Sequence, residues 1–354
     1  MLLLTLSHVR PGMRLAKDIW LSNGILLLGR GQTLKESHIR RFKELGILAL
    51  YVEDRRTEDI DIVDPISPET RARAVQEVAK AFNAAAAMIK EGKRVNMDVK
   101  AIEFVAREII EDLSSNNQAY LSIIDLRTYD DYTFSHSVNT CVIGSAIAME
   151  LGIQESRLRH LAIGLLLHDI GKITVDQSII NKPGPLTQEE FEMIKAHPRK
   201  GFEILMWQEE ISAKSKIIAL HHHERMDGSG YPVGLKGEEI HEFGRIAAIA
   251  DVYDAMTAQR IYRKSYSIQE TVEFLREAGN QLFDRRYLEA FLRKVSIYPI
   301  GTVVELSTGD KAVVVAVNPD FPERPKVRVL WDRKGREVEP LELDLSKERG
   351  IEIL

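Results

Sequence analysis

RLRHLAIGLLLHDIGK, residues 157–172, is apolar on nearly every side of a helix until it ends in an imidazole, a carboxylate and a lysine. A surface helix carries one apolar stripe, whereas a helix apolar all round lies at the centre of a bundle. Working outward, helical periodicity runs from about Ser67 to about Val295. SPETRARAVQEVAKAFNAAAAMIKEG opens on a helix-initiating Ser67-Pro68 pair and closes at Gly92. NMDVKAIEFVAREIIEDLSSN and FSHSVNTCVIGSAIAMELG follow as further helices.

The flanks read differently. DIWLSNGILLLGRG suggests a hairpin with Asn23-Gly24 in a type I′ turn. TLKESHIRRFKELGI suggests a helix, with Thr33 and Glu36 in capping-box spacing and Gly46 at its exit. ILALYVED reads as a strand, which makes a βαβ-like pattern without a catalytic signature. After Tyr298-Pro299 the runs TVVELS, KAVVVAV, KVRVLWD and REVEPLELDL alternate between turn-rich pieces. The expected fold is mainly α: a small α+β domain at 1–64, a helical domain with lead-in helices at 65–296, and a small β-barrel-like domain at 297–354.

A net charge of −5 over 354 residues argues against bulk binding of duplex nucleic acid. The single Cys141 excludes an internal disulfide framework and fits a reducing compartment. No stretch approaches the roughly 18–20 apolar residues that span a bilayer, and the opening residues lack a signal peptide's positive region. The expected location is the cytosol. The alanine run Ala84 to Ala87 would serve equally as core or as a homodimer face.

The chemistry lies in the bundle. His136, His168, Asp169, His197, His222, His223 and Asp251 are spread over five helical segments, several of them strongly apolar. A lone His-Asp pair satisfies itself by hydrogen bonding, and a buried carboxylate needs such a partner or a cation. Five imidazoles and two carboxylates in one core would leave groups unsatisfied unless metal ions collect them. The adjacent pairs His168-Asp169 and His222-His223 imply more than one ion, with a carboxylate as the natural bridge. His221 is read as a packing residue.

HDIGK at 168–172 with HHERMDGSGYP at 222–232 resembles the HD-GYP family of bacterial cyclic-di-GMP phosphodiesterases, a branch of the HD phosphohydrolases. The likeness covers roughly Leu121 to Val295 and takes in HSV at 136–138, HPRKG at 197–201 and DVYDAMTAQRIYR at 251–263. It implies an all-helical HD-type bundle and metal ligation by His136, His168, Asp169, His197, His222, His223 and Asp251, with Asp169 bridging. Lys172, Arg260 and Arg263 fall on phosphate-contacting positions, although unremarkable readings exist for each: a helix C-terminal cation for Lys172 and ordinary solvation for the arginines. Tyr231 and Gly230, with Asp227 and Gly228, would shape the loop and the substrate pocket.

The activity implied is hydrolysis of cyclic-di-GMP by a metal-bridged hydroxide, giving pGpG or continuing to GMP. Family members with three metals carry a glutamate four residues before the first histidine; Tyr132 stands there, so two metals are expected. Imidazole with carboxylate and no thiolate suits iron, manganese, zinc or cobalt, and the resemblance puts iron first and manganese next. The alternatives are a cyclic-di-GMP receptor signalling through its flanking domains, or a phosphohydrolase for another cyclic dinucleotide.

Overall fold

The computed structural model describes residues 1–21, 25–116, 121, 132–182, 184–257 and 266–354, without the side chains of Tyr132 and Asn280. The described parts of 1–64, 121 and 293–354 form one unit; those of 65–116 and 132–292 form another.

In the first unit β1 (Leu2–Thr5) pairs antiparallel with β4 (Ala49–Val52), and β2 (Ile19–Trp20) with β3 (Leu26–Leu28). The Asn23-Gly24 turn lies outside the described residues. The strand–helix–strand order of this segment is therefore not a parallel βαβ unit. Helix α1 (Glu36–Glu44) starts behind Lys35, not Thr33. Thr33 is held extended by a bridge to Arg14, so the expected Thr33–Glu36 capping box does not form.

Strands β5 (Val303–Glu305), β6 (Lys311–Ala316), β7 (Lys326–Trp331) and β8 (Glu337–Asp344) make an antiparallel sheet in chain order. Successive strand residues face opposite sides, and both sides are used. Val313 and Leu330 join Leu15, Leu34, Phe42 and Leu50 in one apolar cluster, while Ala312, Val314, Val327 and Val329 pack with Leu306 and Leu345 in another. The two ends of the chain thus share a core.

The second unit is helical. Ser67 caps α2 (Pro68–Lys90), its Oγ accepting from Thr70 N at 3.2 Å, and Asp98 caps α3 (Val99–Ser115) through Ala101 N. Of the alanine run, Ala85 is buried and Ala84 and Ala87 are exposed. Then come α4 (Tyr132–Glu150), α5 (Glu155–Leu167), α6 (Gln177–Ile180), α7 (Gln188–Lys195), α8 (His197–Met206), α9 (Ala213–His221) and α10 (Glu242–Thr257). Three more, α11 (Ile268–Glu277), α12 (Gly279–Leu282) and α13 (Arg285–Lys294), close the series.

Helix α5 is central, as its all-round apolar surface requires: Leu158 and Leu161 to Leu167 are buried, and it packs on α3, α4 and α9. Gly164 permits the α9 approach, since a Cβ there would lie 2.5 Å from Ser215 O. A second close approach follows α5, where a 3-10 turn (Ile170–Thr174) meets α8. A Cβ on Gly171 would lie 1.9 Å from His197 O, so only glycine brings residues 168–169 beside His197. Among the described residues no helix is long and apolar enough to cross a membrane.

Candidate metal centre

These packings converge seven side chains from separate elements. His136 comes from the first turns of α4, His168 and Asp169 from the end of α5, and His197 from the start of α8. His222 and His223 follow α9, and Asp251 lies within α10. All are buried except His223, which is partly so. Neighbouring imidazole centroids lie 4.1–5.3 Å apart.

Asp169 divides the cluster. Its Oδ1 faces His197 Nε2 at 3.3 Å and His222 Nε2 at 3.8 Å; its Oδ2 faces His168 Nε2 at 3.5 Å and His136 Nε2 at 3.7 Å. Three three-residue groups are close enough to share an ion: His197 with His222 and His223, His136 with His168 and Asp251, and His168 with Asp169 and His222, which spans the other two.

The residues fit divalent cations, and the hydrogen bonds say why. The Nδ1–H of His168 donates to Leu165 O at 2.7 Å, that of His197 to Ile194 O at 2.7 Å, and that of His222 to Ile218 O at 3.1 Å. A carbonyl only accepts, so each Nδ1 carries a proton and each ring turns its Nε2 inward. The Nε2 atoms of His197 and His222 face each other at 3.1 Å, close enough for one cation to take both as ligands. His168 Nε2 and Asp169 Oδ1 are buried without a hydrogen-bond partner, a cost that metal ligation removes.

The electrostatics agree. Burial first, then neighbouring imidazoles, hold His222 well below the ordinary histidine range; burial likewise lowers His168 and His223. Burial opposes the charge on Asp169, yet Lys172 and His168 keep its carboxyl well below the usual range. Asp251 is held down against burial by His136 and His223. Neutral imidazoles beside ionised carboxylates are the protonation states that metals need.

Lys172 reaches the cluster, its Nζ donating to Asp169 Oδ2 at 2.5 Å. The Tyr231 ring stacks on His223 with centroids 4.7 Å apart, and burial followed by the Asp251 charge raises its hydroxyl pKa. Gly230 lies where a Cβ would come 2.4 Å from Arg225 N. Asp227 folds its own loop, accepting from Ser229 N and Oγ. His221 is turned away, its Nδ1 accepting from His241 N. Arg260, Arg263 and Asp131 lie outside the described residues, as does the side chain of Tyr132.

Sequence reasoning passed over four supporting residues. Asp254 accepts from His136 Nδ1 at 2.6 Å and from Asn139 Nδ2 at 3.0 Å, and Arg71 of α2 donates to Asn139 Oδ1 at 2.6 Å. The buried Glu224 collects the backbone N–H groups of Val233, Gly234 and Leu235, which fastens the Tyr231 loop. The spacings DVYD and HSVN put Asp254 and Asn139 one turn from Asp251 and His136 and were the available signal. Arg71 offered none.

The chain has relatives among known proteins. The HD domain family matches residues 127–287, and the KOW domain associated with HD domain matches 303–354. A cyclic di-GMP phosphodiesterase of Pseudomonas aeruginosa is 30% identical over 346 residues, 92% of this chain and 82% of its own. A cyclic di-GMP phosphodiesterase response regulator of Xanthomonas campestris is 41% identical over 152 residues, 43% of this chain and 40% of its own. In fold, a solved HDG"Y"P protein from Bdellovibrio bacteriovorus aligns with a TM-score of 0.51 at 17% identity, covering 82% of this chain and 97% of its own.

Proposed function

The chain belongs to the HD-GYP family of cyclic-di-GMP phosphodiesterases, and on that premise we propose that it hydrolyses cyclic-di-GMP to linear pGpG at the cluster around Asp169. The observation that carries the reading is the Asp169 carboxylate, one oxygen facing each of two sets of inward-turned imidazoles.

His197, His222 and His223 would hold one divalent ion and His136, His168 and Asp251 the second, with Asp169 shared. Ions bound there supply positive charge to a phosphate and lower the pKa of water toward neutrality. The protein's own groups do the rest. Lys172, tethered to Asp169, presents a positive charge beside the phosphate. Tyr231, kept neutral by burial, offers a hydroxyl donor where it stacks on His223. Arg260 and Arg263 are proposed to grip the phosphate or a guanine. Glu224 holds the loop so that Tyr231 does not drift.

The donor set of imidazole and carboxylate without thiolate suits iron, manganese, zinc or cobalt, and the family likeness puts iron first and manganese second. Tyr132 at the place of the expected glutamate supports two ions over three. Cys141, reduced and buried, is consistent with a cytosolic setting.

The deciding experiment incubates protein loaded anaerobically with ferrous iron or manganese with cyclic-di-GMP, alone and in competition with a second cyclic dinucleotide. The expected product is pGpG, with cyclic-di-GMP consumed first. Binding without turnover would overturn the enzyme reading in favour of a receptor. Preferential consumption of the competitor would overturn the substrate assignment.

A further inference from the structure

A cyclic dinucleotide carries two phosphodiesters, and a metal centre that attacks one leaves the other's negative charge to be met elsewhere. Among the described residues the cations around this site are not equally free to meet it; Arg260 and Arg263, proposed to grip the phosphate or a guanine, lie outside those residues. Lys172 is tied to Asp169 at 2.5 Å. Arg225 is tied to the carbonyls of His222 and Glu224, at 3.2 and 2.8 Å.

Lys195, the last residue of α7, is placed differently. Its ammonium lies 5.5 Å from the centroid of Tyr231, the ring that stacks on His223, and 5.2 Å from the centroid of Phe191 one turn back. Its ion-pair partner is Glu192, at 3.1 Å, with side chains 31% and 54% exposed. Such a solvated i,i+3 pair is worth little and gives way readily to a stronger anion. A helix C-terminus favours a cation here in any case. That preference explains a lysine on the last turn but not one held over the ring that touches His223. Two aromatic faces hold the ammonium at the rim of the cluster, where it stays reachable from solvent.

We propose that Lys195 binds the phosphodiester of the substrate that is not being cleaved, with Tyr231 and Phe191 fixing the place of its ammonium beside His223. The assignment rests on reading the site as a cyclic-dinucleotide hydrolase. It makes Lys195 a specificity residue for substrates with two phosphates, recognised by charge at a distance from the reacting atoms.

The test compares the metal-loaded full chain with Lys195→Gln and Lys195→Arg on cyclic-di-GMP and on bis(p-nitrophenyl) phosphate, which has a single diester. Lys195→Gln should raise the KM for cyclic-di-GMP about tenfold, the size of one lost charged contact, with a smaller change in kcat. Its kcat/KM on the dinucleotide should fall several-fold further than on the single diester, and Lys195→Arg should recover most of the loss. An unaltered KM for cyclic-di-GMP in Lys195→Gln would overturn the inference, as would equal losses on both substrates, which mark general damage. A wild-type protein that cleaves the single diester and ignores cyclic-di-GMP would overturn the functional reading, and this inference with it.

Discussion

His136 and Asp254 are joined by a buried hydrogen bond of 2.6 Å, the ring Nδ1–H donating to the carboxylate, and the opposite ring nitrogen faces Asp251 at 3.0 Å. Asp254 is held in turn by Asn139, and Asn139 by Arg71. A carboxylate behind a ligating imidazole fixes its tautomer and raises its basicity. Asp254 is therefore proposed as a positioning residue for metal at His136.

Asp254→Asn keeps the shape and removes the charge. Its amide can present a hydrogen to Nδ1 and favour the wrong tautomer. Metal affinity is expected to fall about 10–100-fold, with the fold intact. Equilibrium dialysis with manganese checks this before any activity assay. Affinity equal to the parent's would remove Asp254 from the site.

Asp169→Ala tests the shared carboxylate. It deletes the anion that two sets of ligands have in common, and it leaves Lys172 without its partner. Metal content and phosphodiesterase activity should be lost together, activity by on the order of 100-fold or more. Elemental analysis of the purified variant separates the two. Parental hydrolysis by this variant would refute the site.

The seven clustered residues were legible because imidazoles and carboxylates are out of place in apolar text such as LAIGLLLHDIGK and IAAIADVYD. Asp254 was equally visible in that second stretch but was passed over, because one carboxylate there already had a role. Arg71 is one of two arginines on an amphipathic helix, and only the packing of α2 on α4 gives it a meaning. The Thr33–Glu36 spacing misled because a strand-like bridge to Arg14 holds Thr33, a long-range contact that local spacing does not encode. The shared core of the two chain ends is of the same kind: Val313 and Leu330 alternate like any strand residues, and nothing local says that Leu15 and Phe42 lie against them.

Gly171→Ala probes how the pairing of Asp169 with His197 is enforced. The added Cβ would sit 1.9 Å from His197 O and 2.6 Å from Gly201 N, and both are backbone atoms. Side chains can swing away from such a clash, but here a helix must shift. A destabilisation of about 3 kcal/mol is expected, with reduced metal affinity because His197 moves away from Asp169. Urea denaturation of the metal-free protein gives the first number. A midpoint equal to the parent's would show that the 3-10 turn and α8 yield at no cost.

Cys141 gives a prediction that turns on pH. Its thiol is fully buried, with Sγ 3.5 Å from Ala162 O, and burial pushes its pKa up to about 12. Native protein should resist alkylation at pH 8, where an exposed thiol reacts through its thiolate. The stability effect has a definite sign. Between about pH 9 and about 12 the unfolded chain has released this proton and the folded chain has kept it, so the folded state binds more protons. The thiol's contribution is therefore complete below about pH 9 and is lost as the pH rises toward 12, at up to about 1.4 kcal/mol per pH unit. Buried tyrosines such as Tyr253 titrate in the same direction, so the useful quantity is a difference. Cys141→Ala leaves a cavity and starts less stable, but it lacks this loss, and its stability curve should converge on the parent's above pH 9. Parallel curves from pH 8 to 11 would mean that the thiol ionises as readily folded as unfolded, and its burial would no longer govern its chemistry.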